Sequence, residues 1–198
     1  MAEASDRLAA ALAGIDEANA ADPAREVIDG AERPAALVYS ERMSGWLARI
    51  APGASEELKL AVRAQHIERW TMPRASFPMT REGYLRWRTE LAKYHAKRAG
   101  EIMAAAGYDA GSVARAGALI RKQRLKRDAE AQTLEDVACL VFLENTFAEF
   151  ADQHDAEKIV DILKKTWAKM SGRGHAAALE LAIPPRARAL VERALADG

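Results

Sequence analysis

An all-α fold is what this 198-residue sequence predicts, on two observations. Apolar residues recur at spacings of three and four rather than two, and helix formers outnumber a sparse set of β-branched residues. At 49% hydrophobic and 29% charged the chain is too apolar to be disordered, and its length lets folding hide roughly 70% of the unfolded surface. The expectation is one domain over residues 1–198, a multi-helix bundle with its core at about 34–174 and terminal helices packed on it.

A first helix is expected at about 4–20, and Asp22-Pro23 reads as a cap and first residue of a short second one that Gly30 ends. Pro34 opens a helix to about Ile50, stopped by Pro52-Gly53. Ser55-Glu56-Glu57 caps the next, which is expected to carry His66 and Trp70. The two prolines of Pro73–Pro78 forbid a helix, so that segment reads as a loop. Thr80 caps a long helix to about Ala106, with Gly107 as its left-handed stop. Leu85, Ala92, His95, Ala99, Ile102 and Ala106 form its inward stripe. Asp109 opens a helix to about Leu125. The most apolar helix, at about 134–151, is apolar nearly all round and is therefore placed at the centre of the bundle. Asp155 caps a helix to about Met170, Ser171–Gly174 reads as a turn, and Pro184-Pro185 separates two short final helices.

Lys and Arg (29) balance Asp and Glu (29), so no global field draws the chain to nucleic acid or to an anionic membrane, and any anion site must be local. One cysteine, Cys139, lies in an apolar run and leaves no partner for an intramolecular disulfide. No secretory leader and no run of roughly 20 apolar residues is found, so the cytoplasm is the default expectation.

Four constellations could carry chemistry. In Gln65-His66-Ile67-Glu68-Arg69-Trp70 with Pro73-Arg74, helical spacing puts His66, Arg69 and Trp70 on one side with Arg74 nearby. That corner reads either as an anion or metal pocket, or as a core histidine under snorkelling arginines. Tyr84, Trp87 and Arg88 precede His95 on the next helix. An inward histidine is either satisfied structurally or used as a ligand, and the two aromatics read mainly as packing residues. In the segment from Asp128 to Asp136, which contains Gln132 and Glu135, Thr133 and Asp136 have capping-box spacing. A carboxylate in the first turn of a buried helix is equally suited to metal or acid–base work. Finally, the basic run Arg121–Arg127, including Lys122, reads as a solvated helix end or a phosphate patch, and Lys169–Gly174 as a helix stop or an anion cradle. No Gly-x-Gly-x-x-Gly, phosphate-binding loop, His-Glu-x-x-His or Gly-x-Ser-x-Gly occurs.

The segments Gln65–Trp70, Pro73-Arg74, Gly83–Arg88, Gln132–Glu144 and Lys165–Ser171 resemble the family catalogued as domain of unknown function 4202, over about residues 39–174. A looser resemblance is to HD-domain phosphohydrolases, with His66 at the His-Asp pair and Asp136 as the late aspartate, although Ile67 replaces the pair's aspartate and the early helix offers no histidine. That resemblance implies an HD-like bundle and a metal-assisted hydrolase acting on a small phosphorylated or anionic substrate. A divalent metal would sit on His66, His95 and Asp136, with His66, Glu135 and Asp136 as the catalytic set. Substrate would be held by Arg69, Arg74, Tyr84, Arg88, Lys122, Gln132 and Lys169. The alternative is a non-catalytic module that binds a nucleotide, another anion or a protein; nucleic acid is the less favoured partner, and no membrane is expected.

Overall fold

A computed structural model describes residues 2–196, and the architecture is helical throughout except for one hairpin. The first helix, α1 (Ala2–Ala20), is followed by β1 (Arg25–Ile28) and β2 (Ala31–Pro34), paired antiparallel with Arg25 opposite Pro34 and Ile28 opposite Ala31. Asp29 and Gly30 join the strands with φ of 51° and 80°, the double left-handed turn that matches strand twist. The short helix expected after Asp22 is therefore a β-hairpin. Asp22 does cap, but at a distance: it accepts the N–H of Ala24 and of Ala36, both at 2.9 Å, the second in the first turn of α2 (Ala35–Ile50).

Ser55 caps α3 (Glu56–Arg63) by accepting the Leu58 N–H at 3.1 Å, a contact worth about 1 kcal/mol. This helix ends at Arg63, short of His66, so helical spacing does not relate His66 to Trp70 as expected. Thr80 caps α4 (Arg81–Ala105) through the Gly83 N–H at 3.1 Å, and Gly107 takes its left-handed stop at φ 89°. Gly83 is obligatory for a second reason. A Cβ there would lie 2.1 Å from the Pro78 carbonyl oxygen, so only glycine lets the Pro73–Pro78 loop close on α4. The buried stripe of α4 runs through Trp87, Leu91, His95, Ala99 and Met103. Leu85, expected inside, is 54% exposed, because the stripe is rotated toward Trp87, whose indole N–H is tied to the Met72 carbonyl at 2.9 Å.

Asp109 caps α5 (Ala110–Ile120), which stops before the basic run rather than at Leu125, because Lys122 and Arg124 both turn left-handed (φ 52° and 56°). Asp128, not Thr133, caps α6 (Ala129–Asn145) by accepting the N–H groups of Glu130 and Ala131. Thr133 lies within the helix and donates back to the Ala129 carbonyl, so Asp136 is not a capping-box residue and Glu135 and Asp136 are not in the first turn. Central placement of α6 is observed, but the single helix expected over about 134–151 breaks at Thr146 (φ −121°, ψ −27°) into α6 and α7 (Phe147–Asp152). Leu134, Val137, Leu140 and Val141 are buried, and α6 contacts α2, α3, α5, α7 and α9 (Gly172–Leu179). Between these, α8 (Ala156–Trp167) ends earlier than Met170, and Ser171 begins α9 by accepting the Gly174 N–H instead of forming a turn. The last helix, α10 (Pro185–Ala196), packs on α7 and α8, while α1 packs on α2, α3 and α4. Among the described residues no helix is long and apolar enough to cross a membrane.

Candidate functional site

The early end of α3 creates the site. Beyond Arg63 the chain turns on itself through Gln65, His66 and Ile67, then reverses at Glu68, which holds a left-handed φ of 51° before the 3₁₀ turn Arg69–Thr71. A non-glycine residue pays about 1 kcal/mol or more for that conformation, so neighbouring groups must hold it there. They do so from two helices. Asn19 of α1 accepts the Glu68 N–H at 3.2 Å, and from α4 the Tyr94 hydroxyl donates to the Glu68 carboxylate at 2.6 Å and Arg98 Nε at 3.2 Å.

His95, on the buried side of α4, meets this reversal from below. Its Nδ1 lies 2.7 Å from the Ile67 carbonyl oxygen, which can only accept, so Nδ1 carries the hydrogen and Nε2 an open lone pair. That Nε2 is buried and has no hydrogen-bond partner among the described residues; the same holds for Oε1 of Gln65. His66 stands 6.0 Å from His95 between ring centroids and stacks on Tyr39 of α2 at 4.7 Å. Both imidazoles are held neutral. Burial is the main cause for each, with Arg69, His95, Lys122 and Arg88 adding to it for His66. For His95 burial outweighs the opposing Ile67 hydrogen bond and pushes the group down to about 4.

Gln65, His66 and His95 line a hollow of about 520 Å³ whose other walls come from Arg69, the rest of α4 and the segment after α5. Its charged lining is Arg69, Arg88, Lys93, Arg121 and Lys122, and among the described residues no carboxylate lines it. Lys93 is matched by Glu90 at 2.9 Å, and Lys122 by Glu135, which sits behind it in the protein. Arg69, Arg88 and Arg121 have no carboxylate partner among the described residues. Arg69 instead lies 4.7 Å over the Trp87 ring, and its burial disfavours its own charge. Of the four left-handed non-glycine residues among those described, Glu68, Lys122 and Arg124 are in the two segments that form this rim, and Lys122 lines the hollow itself.

The residues expected to act together thus divide. His66, His95, Arg69, Arg88 and Lys122 converge on the hollow. Arg74 lines a second, adjoining hollow, but its guanidinium is committed to the carbonyls of Phe77, Pro78 and Thr80 at 3.0, 2.7 and 3.3 Å, where it closes the loop. Tyr84 is 43% exposed on the outer side of α4, against Trp87 and Arg88. Asp136, Gln132 and Lys169 form a separate clamp. One oxygen of Asp136 accepts the Ser171 N–H at 2.8 Å and Gln132 Nε2 at 3.0 Å, the other accepts the Ser171 hydroxyl at 2.5 Å, and Gln132 also donates to the Lys169 carbonyl at 2.8 Å. Gly174 packs so closely on this carboxylate that a Cβ would meet it at 2.8 Å. Glu135 is an ion-pair partner rather than a wall of the hollow.

The metal set His66, His95 and Asp136 does not form as expected: among the described residues no three His, Cys, Asp or Glu side chains gather to hold a metal ion. Asp136 is spent on Ser171, and the two imidazoles face guanidinium and ammonium groups, a field that repels a cation. Sequence reading missed Gln65 and Arg121. Gln65 is adjacent to a selected histidine but carries no signal of its own, and Arg121 was submerged in a basic run that continues past the hollow into solvent.

A helical protein with a cationic, carboxylate-free hollow and neutral histidines at its base is the class the fold and site define. The chain belongs to the family described as domain of unknown function (DUF4202), whose family model matches residues 9–191. No curated protein matches it. No solved structure matches it.

Proposed function

We propose that the hollow between α4 and the reversal at Glu68 binds a small phosphorylated molecule that also carries hydroxyl groups. The observation that carries this reading is the pairing of opposites at one place. Three guanidinium groups lacking carboxylates ask for an anion, and the buried, partnerless His95 Nε2 and Gln65 Oε1 ask for hydrogen-bond donors. A buried polar atom left without a partner costs about 1–3 kcal/mol, which a ligand hydroxyl would return on binding. The hollow's volume of about 520 Å³ suits a sugar phosphate or a somewhat larger ligand. Neutral imidazoles in this setting can accept a proton or hydrogen bond from the ligand while the cations neutralise its phosphate.

A metal-assisted hydrolase is the less well supported reading, because the donor set lacks a carboxylate and the surrounding charge has the wrong sign for a divalent cation. Calorimetric titration with ribose 5-phosphate and with ribose separates the possibilities. Ribose 5-phosphate is expected to bind and ribose at least about 100-fold more weakly, the loss of a charge-assisted contact set. Arg69→Ala and Arg88→Ala should each weaken the phosphate-bearing probe by about tenfold or more. Equal affinity for the two probes, or affinity that survives both substitutions, would remove the proposal.

A further inference from the structure

The second hollow, of about 370 Å³, shares His66 and Arg69 with the first, so these two side chains form the waist between them. Its character is opposite. Tyr39, Trp70, Met72, Pro73 and Trp87 give it an apolar and largely aromatic lining. The polar groups at its edge are already used: Asp22 accepts two backbone N–H groups, Arg74 closes its loop, and the Trp87 indole N–H is bound to Met72. Among the described residues the Trp70 indole N–H and the Tyr39 hydroxyl make no hydrogen bond. Such a surface has little to offer a second anion and much to offer a flat ring, which would stack on indole or phenol faces.

We infer that the two hollows are one bipartite site for a nucleoside phosphate, with phosphate among Arg69, Arg88 and Arg121, ribose at the waist, and base in the aromatic hollow. The inference rests on the anion-binding reading and extends it. The waist supports the assignment in two ways. Arg69 bears on both compartments, with its guanidinium over Trp87 at 4.7 Å while it lines the cationic hollow. On the cationic side of the waist, His95 and Gln65 line the hollow, and the Nε2 lone pair and Oε1 are hydrogen-bond acceptors, as ribose hydroxyls require. A phosphorylated sugar without a ring would leave the aromatic hollow to water, and a nucleoside without phosphate would leave three guanidinium groups unmatched.

The test compares adenosine 5′-monophosphate with ribose 5-phosphate by calorimetry, on the wild-type chain and on Ala36→Leu, which adds bulk at a residue that lines the aromatic hollow and not the cationic one. The nucleotide is expected to bind at least about tenfold more tightly than ribose 5-phosphate and to quench tryptophan fluorescence, which the sugar phosphate should leave unchanged. In Ala36→Leu the tenfold advantage should vanish while ribose 5-phosphate affinity is kept. Retained ribose 5-phosphate binding certifies that the variant is folded, and Ala24→Leu probes the same hollow from the loop before β1. Equal affinity of the two probes, or an advantage that both substitutions leave intact, overturns the bipartite site while the anion site stands. Absence of binding by both probes to the wild-type chain overturns both readings together.

Discussion

Two polar clusters of this molecule look alike in sequence and differ in one physical respect. Around Asp136 every lone pair that matters is taken: Ser171 supplies its N–H and hydroxyl, Gln132 its amide, and Gly174 packs against the carboxylate without a gap. Around His95 the accounts are open, with an unpartnered imidazole nitrogen, an unpartnered amide oxygen and three guanidinium groups without carboxylates. The saturated cluster clips α6 to the start of α9. The unsaturated one is held in position by Glu68, Tyr94 and Arg98 and keeps its valences for something else. Saturation, rather than residue type, is what distinguishes a structural polar cluster from a candidate site.

The comparison breaks most visibly at Asp136. Asp136→Ala should strand the Ser171 and Gln132 donors and cost about 3–4 kcal/mol, read as a lowered denaturant midpoint, yet leave ribose 5-phosphate affinity of the folded protein unchanged. Acid exposes the other cluster. His95 has its pKa depressed by burial from an ordinary 6.5 to about 4, and His66 is depressed as well. Below pH 6.5 the unfolded chain takes up protons that the folded state refuses. The stabilisation is therefore fully present above about pH 6.5 and is lost progressively down to about pH 4, with His95 alone accounting for about 3 kcal/mol. Equilibrium unfolding across that window should show the decline, and His95→Leu should flatten it.

Smaller effects sharpen the contrast. Arg69→Ala removes a partly buried cation that has no carboxylate, so the empty protein should become no less stable, gaining up to about 1 kcal/mol in thermal unfolding, even as ligand affinity falls. Arg124→Gly should stabilise by about 1 kcal/mol, since Arg124 is exposed, left-handed at φ 56°, and gains nothing visible from its side chain. Unchanged stability there would mean that the rim is relaxed rather than strained.

Much of the scaffold was legible because caps write themselves into sequence. Ser55, Thr80, Asp109 and Gly107 act as their residue types require, and the apolar α6 lies at the centre. The hairpin at Arg25–Pro34 was not legible in its strands, which are four residues long, charged and only half-buried, and its Asp29-Gly30 turn reads equally well as a helix stop. At α6 the Thr133–Asp136 spacing misled: the helix begins earlier, where Asp128 accepts the Glu130 and Ala131 N–H groups and is itself held by Arg115. At the site, His95 was read inward correctly, whereas Asp136 lies outside the hollow because Ser171 and Gln132, partners distant or unremarkable in sequence, take its oxygens.

The central claim concerns one nitrogen. Histidine ring ¹⁵N spectra recorded at pH 7 with and without ribose 5-phosphate address it directly: the free protein should show His95 neutral, with hydrogen on Nδ1 and an unshared pair on Nε2, and the ligand should shift the Nε2 resonance as that pair accepts a hydrogen bond. A His95 already protonated at pH 7, or an Nε2 signal unmoved at saturating ligand, would contradict the account.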